Sequence, residues 1–295
     1  MMFFSVFLLL SLVKAAAWSL PVFDVESPDL VALREVGAAV VLNHGLDLSL
    51  ILSTTRGAFN RTGFRSTFVP RGGESGGDVE EAKESFVVSK GELLDAFHED
   101  DGRVLEKTYA DLAALARRIV DAIPPLRGCC DKDADDTAVG RLVHYFCPVS
   151  PETTDVVGSA PHTDWGLLTF VVADRPGLEL FHGGSWRRPP LDSPTLILHA
   201  GDYMAMTVPG VTSPRHRVVL RTTKTRPSLV GGGDRYSLVF FYYPDSDAPV
   251  PEDLSRLGKD LSVLQCQAAD TRSCEPLPST FGALVANKWR EVSRR

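Results

Sequence analysis

The sequence predicts a mainly β body with flanking helices, an antiparallel sandwich or barrel that follows a helix-rich, mixed first half. Three observations carry this expectation. From residue 139 onward, short apolar segments alternate with Gly, Pro and Asp turns at the spacing of antiparallel sheets. Before that point, residues 105–123 repeat apolar side chains at helical intervals. The closing stretch 278–295 reads as one more helix. A chain of 295 residues allows one large unit or two. The expected division is a leader over 1–17, a mixed helix-rich region over 18–138, and a β core with its closing helix over 139–295.

The leader segment reads MMFFSVFLLLSLVKAAA. Its apolar run, Phe3–Val13, has the length of a signal h-region and is too short for a bilayer span. Ala15-Ala16-Ala17 supplies small residues for cleavage, but no basic residue precedes the run. The expectation is a signal or targeting peptide leading to the secretory pathway or an organelle. The rival reading is an apolar extension on a cytoplasmic protein. Asn60-Arg61-Thr62 is a glycosylation sequon, and Cys266 and Cys274 can pair in an exported chain. The adjacent Cys129 and Cys130 are poor partners for each other.

Further along, residues 29–56 read as a helix, a strand Ala38–Leu42, a turn Asn43-His44-Gly45 and a second helix. Residues 71–82, rich in Gly and Glu, read as a loop. The helix over 105–123 aligns Leu105, Tyr109, Leu112, Leu115, Ala116, Ile119 and Val120 on one face, and Pro124-Pro125 stops it. Residues 129–138 form a polar, acidic connector. The predicted strands are Gly140–Phe146, Leu167–Ala173, Leu178–Phe181, Thr195–His199, Tyr203–Val208, His216–Arg221 and Tyr236–Tyr243.

Composition sets the outer limits. The hydrophobic fraction is 44% and the charged fraction 23%, close to ordinary soluble domains, so a largely disordered chain is excluded. The formal net charge of −7 excludes a broad nucleic-acid footprint. Five cysteines are too few for a disulfide scaffold. A monomer with a small-molecule substrate and no stable membrane span is the expectation.

The informative cluster is Pro161-His162-Thr163-Asp164-Trp165-Gly166, followed by an apolar segment. In an extended chain, residues two apart share a side, so His162 and Asp164 can converge. His216, 54 positions on, offers a third ligand. Two histidines and one carboxylate that leave coordination positions open are the facial triad of non-haem Fe(II) oxygenases. The alternative is a core histidine beside a turn aspartate. A second H-x-D, His98-Glu99-Asp100, lies in an acidic stretch expected to end a helix and reads as solvated surface. Arg235 and Ser237 are again two apart at the start of an apolar strand. A guanidinium fork with a neighbouring hydroxyl suits the distal carboxylate of a small diacid. The competing reading is a strand-edge Arg facing water beside an unrelated Ser.

Taken in order, these motifs resemble the isopenicillin N synthase-like family of Fe(II)/2-oxoglutarate-dependent dioxygenases. Leu20–Val25, Asn43-His44-Gly45, Lys83-Glu84-Ser85-Phe86, Gly177-Leu178-Glu179, Trp186, Gly201-Asp202 and Thr280-Phe281-Gly282 are similar to family features, so the likeness spans nearly all of the chain after the leader. It implies a distorted double-stranded β-helix, or jelly roll. It implies Fe(II) on His162, Asp164 and His216, and 2-oxoglutarate held by Arg235 and Ser237 with Tyr145 as a further candidate. It also implies dioxygen as co-substrate, ascorbate as a supporting reductant, and release of succinate and CO2 as an organic substrate is hydroxylated, desaturated or cyclised.

Departures from the family pattern are the 19-position gap from His216 to Arg235, read as an insertion over 222–233, and His144-Tyr145-Phe146 in place of Asn-Tyr-Tyr. His199 stands where Asn is frequent and is expected to be buried and structural. His182 is expected in a loop, and His44 in a structural turn. Other readings are a catalytically silent jelly-roll binding module and an Fe(II) oxidase that dispenses with 2-oxoglutarate. A zinc hydrolase would accept the same ligands but leave Arg235 and Ser237 without a reason. A cupin fails on pattern, for no H-x-H with a nearby Glu is present.

Overall fold

Strand alternation sorts this chain into two facing sheets. The computed structural model describes residues 18–60, 68–69, 81–90, 97–146, 155–190, 194–221, 234–251 and 278–292. In chain order these form β1 Val22–Asp24, α1 Val31–Glu35, β2 Ala38–Leu42, α2 Leu48–Asn60, β3 Phe68–Val69, β4 Lys83–Ser89 and α3 Glu99–Asp121. A 3-10 turn Pro124–Leu126 leads to α4 Ala134–Thr137, β5 Val139–Tyr145, β6 Asp155–His162, β7 Leu168–Ala173, β8 Leu178–His182 and β9 Ser185–Arg187. The remainder is β10 Leu196–Ala200, α5 Asp202–Thr207, β11 His216–Arg221, β12 Arg235–Tyr242 and α6 Phe281–Val292. The large sheet runs β1-β2-β10-β7-β12-β5-β4-β3 and the small one β6-β11-β8-β9. Apart from the parallel β1–β2 pair, neighbouring strands are antiparallel.

The two faces of the large sheet have different work. On β5, Leu142 faces outward into the core built with α3, whereas Val143 and Tyr145 meet Val218 and Leu220 of the small sheet. Helix α3 buries Leu105, Tyr109, Leu112, Ala116 and Ile119 on one stripe, and Tyr109 packs edge-on to Phe240 with ring centroids 4.9 Å apart. Helix α3 thus covers the outer face of the large sheet. Strands from both sides of residue 138 share the large sheet.

Four local expectations change. His98-Glu99-Asp100 opens α3 instead of ending a helix, since Glu99, Asp100 and Asp101 occupy its first turn, where acidic groups favour the helix dipole. Tyr203–Val208 is helix α5, not a strand. Residues 202–206 are all buried, so no polar side marks the helical period, and a short apolar run reads equally as strand. The bonds Ala205 N–H to Gly201 O (3.0 Å) and Val208 N–H to Met204 O (2.8 Å) settle it. Strand β6 is absent from the predicted set because Gly158 and Pro161 interrupt it. His182, expected in a loop, is the last residue of β8.

The acidic connector is anchored from afar. The buried Asp245 carboxylate accepts the backbone N–H groups of Asp131 (2.8 Å), Lys132 (3.1 Å), Asp133 (2.9 Å) and Ala134 (3.0 Å). Hydrogen bonds to charged groups contribute roughly 1.5–3 kcal/mol each and overlap here, so Asp245→Ala should cost about 3 kcal/mol, read as a lower urea midpoint. A shift within ±0.5 kcal/mol would show the clasp to be incidental.

Cys129 and Cys130 are free thiols. Among the described residues no helix is long and apolar enough to cross a membrane. The leader, Arg61 and Thr62 of the sequon, the 222–233 segment, Cys266 and Cys274 lie outside the described residues.

Candidate metal centre

β6 and β11 pair so that His162 lies directly opposite His216. Opposed residues on antiparallel strands have Cβ atoms roughly 4.5–5.5 Å apart, and here the ring centroids are 4.3 Å apart. The register reaches this point through bulges. β6 uses Ser159 to His162 where β11 uses Val218 to His216, then gives up a further residue at Gly158. Pro161 has no N–H to lose from the interrupted ladder, and a bulge re-aims the side chain beside it.

After His162 the chain turns, and backbone bonds fix the turn. Asp202 N–H donates to Asp164 O (2.7 Å), Gly201 N–H to Leu167 O (2.8 Å) and Tyr203 N–H to Gly166 O (3.1 Å). Asp164 Oδ1 thereby lies 3.7 Å from Nε2 of both His162 and His216. One ligand atom from each residue falls within 4.8 Å of the others. A Cβ on Gly201 would meet the Gly166 carbonyl oxygen at 2.1 Å. Gly201→Ala should therefore displace the Asp164 turn and weaken metal affinity at least tenfold, measured by competition with a chromogenic chelator. Wild-type affinity in that variant would mean the turn does not position the carboxylate.

The imidazoles are oriented from behind. His162 Nδ1 lies 2.7 Å from Ala160 O and His216 Nδ1 3.0 Å from Pro214 O. Only a protonated Nδ1 can donate to a carbonyl, so each imidazole is anchored through Nδ1 and turns Nε2 toward Asp164. Enclosure by the pocket walls and the adjacent His216 push the His162 imidazole down to about 3, although 44% of its side-chain surface is open to solvent. For Asp164, burial pulls the pKa upward, but His216, His199 and His162 outweigh it and hold the carboxylate below its ordinary range. The set is two imidazole nitrogens and an anionic oxygen, with Asp164 Oδ2 buried and without a hydrogen-bond partner. That donor chemistry fits a first-row divalent ion.

These groups border a cavity of about 580 Å³ between the sheets, part of it open to solvent. Arg235, Ser237 and Tyr145 line the same cavity. Arg235 is buried, donates Nε–H to Arg175 O (3.0 Å) and lies 4.8 Å above the Tyr145 ring centroid. Its Nη1 and the Ser237 Oγ are buried with no hydrogen-bond partner. A cationic fork and a hydroxyl left unsatisfied side by side fit a carboxylate ligand.

The remaining histidines separate clearly. His199 is fully buried, as expected, but it also abuts the triad, with Nδ1 3.7 Å from Asp164 Oδ2 and its ring 4.6 Å from that of His216. His144 faces away from the cavity, contacts Glu84 (2.8 Å) and Asp234 (3.1 Å), and stacks on Tyr236. His44 Nδ1 accepts the Leu46 N–H at 3.0 Å, a structural turn. Burial pushes the neighbouring Asp202 carboxyl up to about 7. Lys83 and Arg141 also line the cavity; Lys83 opens the Lys83-Glu84-Ser85-Phe86 likeness without being assigned to the site, and no sequence motif singles out Arg141. The available signal is the alternation Arg141, Val143, Tyr145 on one strand.

Comparison with known proteins follows the same lines. Residues 139–244 match the profile described as the 2OG-Fe(II) oxygenase superfamily. The 2-oxoglutarate-dependent dioxygenase 21, chloroplastic, of Oryza sativa is 35% identical over 83 residues, covering 27% of this chain and 25% of that protein. The 2-oxoglutarate-dependent dioxygenase citB of Monascus ruber is 30% identical over 160 residues, covering 52% and 46%. The chain thus spans between a quarter and a half of these relatives' lengths. Among solved structures, a full-length Neurospora crassa protein in complex with alpha-KG superposes with a TM-score of 0.64 at 18% identity, covering 94% of this chain and 98% of that one. The dioxygenase for auxin oxidation 1 of Arabidopsis thaliana, with 2-oxoglutarate, gives 0.57 at 20%, covering 82% and 98%. At those identities the likeness concerns the fold, a jelly roll. The matched stretch, residues 139–244, is the one that holds the triad, Arg235 and Ser237.

Proposed function

We propose that the chain is an Fe(II)- and 2-oxoglutarate-dependent dioxygenase that oxidises, most simply by hydroxylation, a small organic substrate with release of succinate and CO2. The observation that carries the reading is the sharing of one cavity by a three-ligand cluster and by an unsatisfied Arg235–Ser237 pair. His162, Asp164 and His216 would hold the ion, a set of three ligands that would leave room for exogenous groups. Arg235 and Ser237 are assigned to the distal carboxylate of 2-oxoglutarate, and Tyr145 holds the guanidinium plane beneath it. Fe(II) with 2-oxoglutarate and dioxygen supplies the oxidising power. The protein orients the cosubstrate and the substrate and shields the reaction from water.

The test is succinate formation from 2-oxoglutarate in the presence of Fe(II), ascorbate and dioxygen, alongside calorimetric titration of 2-oxoglutarate into the Mn(II)-loaded protein. Metal-dependent 2-oxoglutarate binding is expected. A protein that binds neither Mn(II) nor 2-oxoglutarate would overturn the reading.

A further inference from the structure

Cys129 and Cys130 do not line the cavity that holds the triad, and nothing in the dioxygenase reading uses them. Their thiols are side by side, with the two Sγ atoms 3.4 Å apart. Cys130 is buried, and the half-buried Cys129 gives the pair its open side. The backbone that carries them is pinned on both flanks. Cys129 N–H donates to Leu126 O (3.2 Å), and the Cys129 carbonyl accepts Asp245 N–H (2.7 Å). Arg117 donates to the Cys130 carbonyl. The Asp245 carboxylate then holds the N–H groups of the four residues that follow. Two thiols on a chain this restrained keep one arrangement, so a ligand that needs both meets little ordering cost.

That arrangement suits chelation better than a disulfide. A disulfide joins sulfurs at about 2.05 Å and usually spans Cα atoms at least about 4.4 Å apart, whereas adjacent Cα atoms are only about 3.8 Å apart. With bonds of about 2.3 Å, the length zinc makes to thiolate, the 3.4 Å bite subtends ~95° at a shared atom. A tetrahedral ion with the same bonds would open the bite to about 3.8 Å. Angles near a right angle belong to pyramidal three-coordinate centres that carry a lone pair, of which trivalent arsenic is the thiophilic example. Donation from the Cys130 thiol holds the Cys129 thiol below its ordinary value, against the opposing pull of burial and Asp245. The more open sulfur is thus also the readier nucleophile.

We propose that Cys129 and Cys130 form a dithiol site for a trivalent, three-coordinate thiophilic centre, with monosubstituted arsenicals as the ligand class. Binding is an exchange without oxidation or reduction. With phenylarsine oxide, the Cys129 sulfur attacks arsenic and the Cys130 sulfur follows. Two arsenic–sulfur bonds form, the arsenic–oxygen double bond breaks, and the oxide oxygen leaves as water with the two thiol protons.

The test adds one equivalent of phenylarsine oxide to the native full chain in excess glutathione, whose single thiol cannot chelate. Native mass spectrometry should show one adduct formed with loss of water. Digestion should map it to the peptide holding Cys129 and Cys130, and 2,3-dimercaptopropanol should release it. Cys129→Ser and Cys130→Ser should each lower retention at least tenfold. The probe should also raise the urea midpoint, since a site built by the fold favours the folded chain. No adduct on the native chain in glutathione, an adduct at Cys147, Cys266 or Cys274 instead, or undiminished retention by either serine variant would each overturn the inference. An unchanged or lowered urea midpoint would overturn it too, because the pair would then owe nothing to the fold. If a serine variant does not fold, the mapping and the urea midpoint of the unsubstituted chain decide.

Discussion

Asp164→Ala is expected to abolish turnover and to lower Fe(II) affinity by ~100-fold or more, beyond the roughly 10- to 100-fold that partners behind a ligand typically cost. Asp164 is the one anionic ligand, and its Oδ1 is equidistant from the two Nε2 atoms at 3.7 Å. Without it, two imidazoles remain to hold a dication in a desolvated cavity, where uncompensated charge is costly. Competition with a chromogenic chelator gives the affinity, and succinate release gives the turnover. Full activity in the D164A protein would remove the triad from consideration.

The second large effect belongs to Arg235. Arg235→Met should weaken 2-oxoglutarate by about 100-fold, as expected when a charge-assisted pair contributing roughly 3 kcal/mol is lost. Metal affinity should be unchanged, because the groups against which Arg235 packs, Gly177 and Tyr145, are not metal ligands. Calorimetric titration of 2-oxoglutarate and of Mn(II) into the same variant separates the two. Equal loss of both would mean that the substitution perturbs the sheet and that the anchor lies elsewhere.

Much of this site is legible because its residues obey a period of two. His162 and Asp164, and Arg235 and Ser237, share a side by simple alternation, and the apolar segments after them announce strands. What escapes has identifiable physical causes. β6 is hidden by Gly158 and Pro161, the residues that form its bulges and so aim His162. α5 is hidden because burial on every side erases the helical stripe. The Asp245 clasp joins residues more than a hundred positions apart, and nothing local marks a carboxylate that will meet four distant N–H groups. The nearness of His199 to Asp164 depends on how β10 lies against β7, a pairing invisible in the sequence.

The opposed placement of His162 and His216 has a thermodynamic meaning. In a free chain, bringing together residues 54 positions apart costs on the order of 3.5 kcal/mol of loop-closure entropy. The β6–β11 ladder meets that cost during folding, so an arriving ion finds the two imidazoles already gathered. By the same token, a slip of one rung would send one imidazole to the opposite face. Ion affinity thus doubles as a gauge of strand alignment.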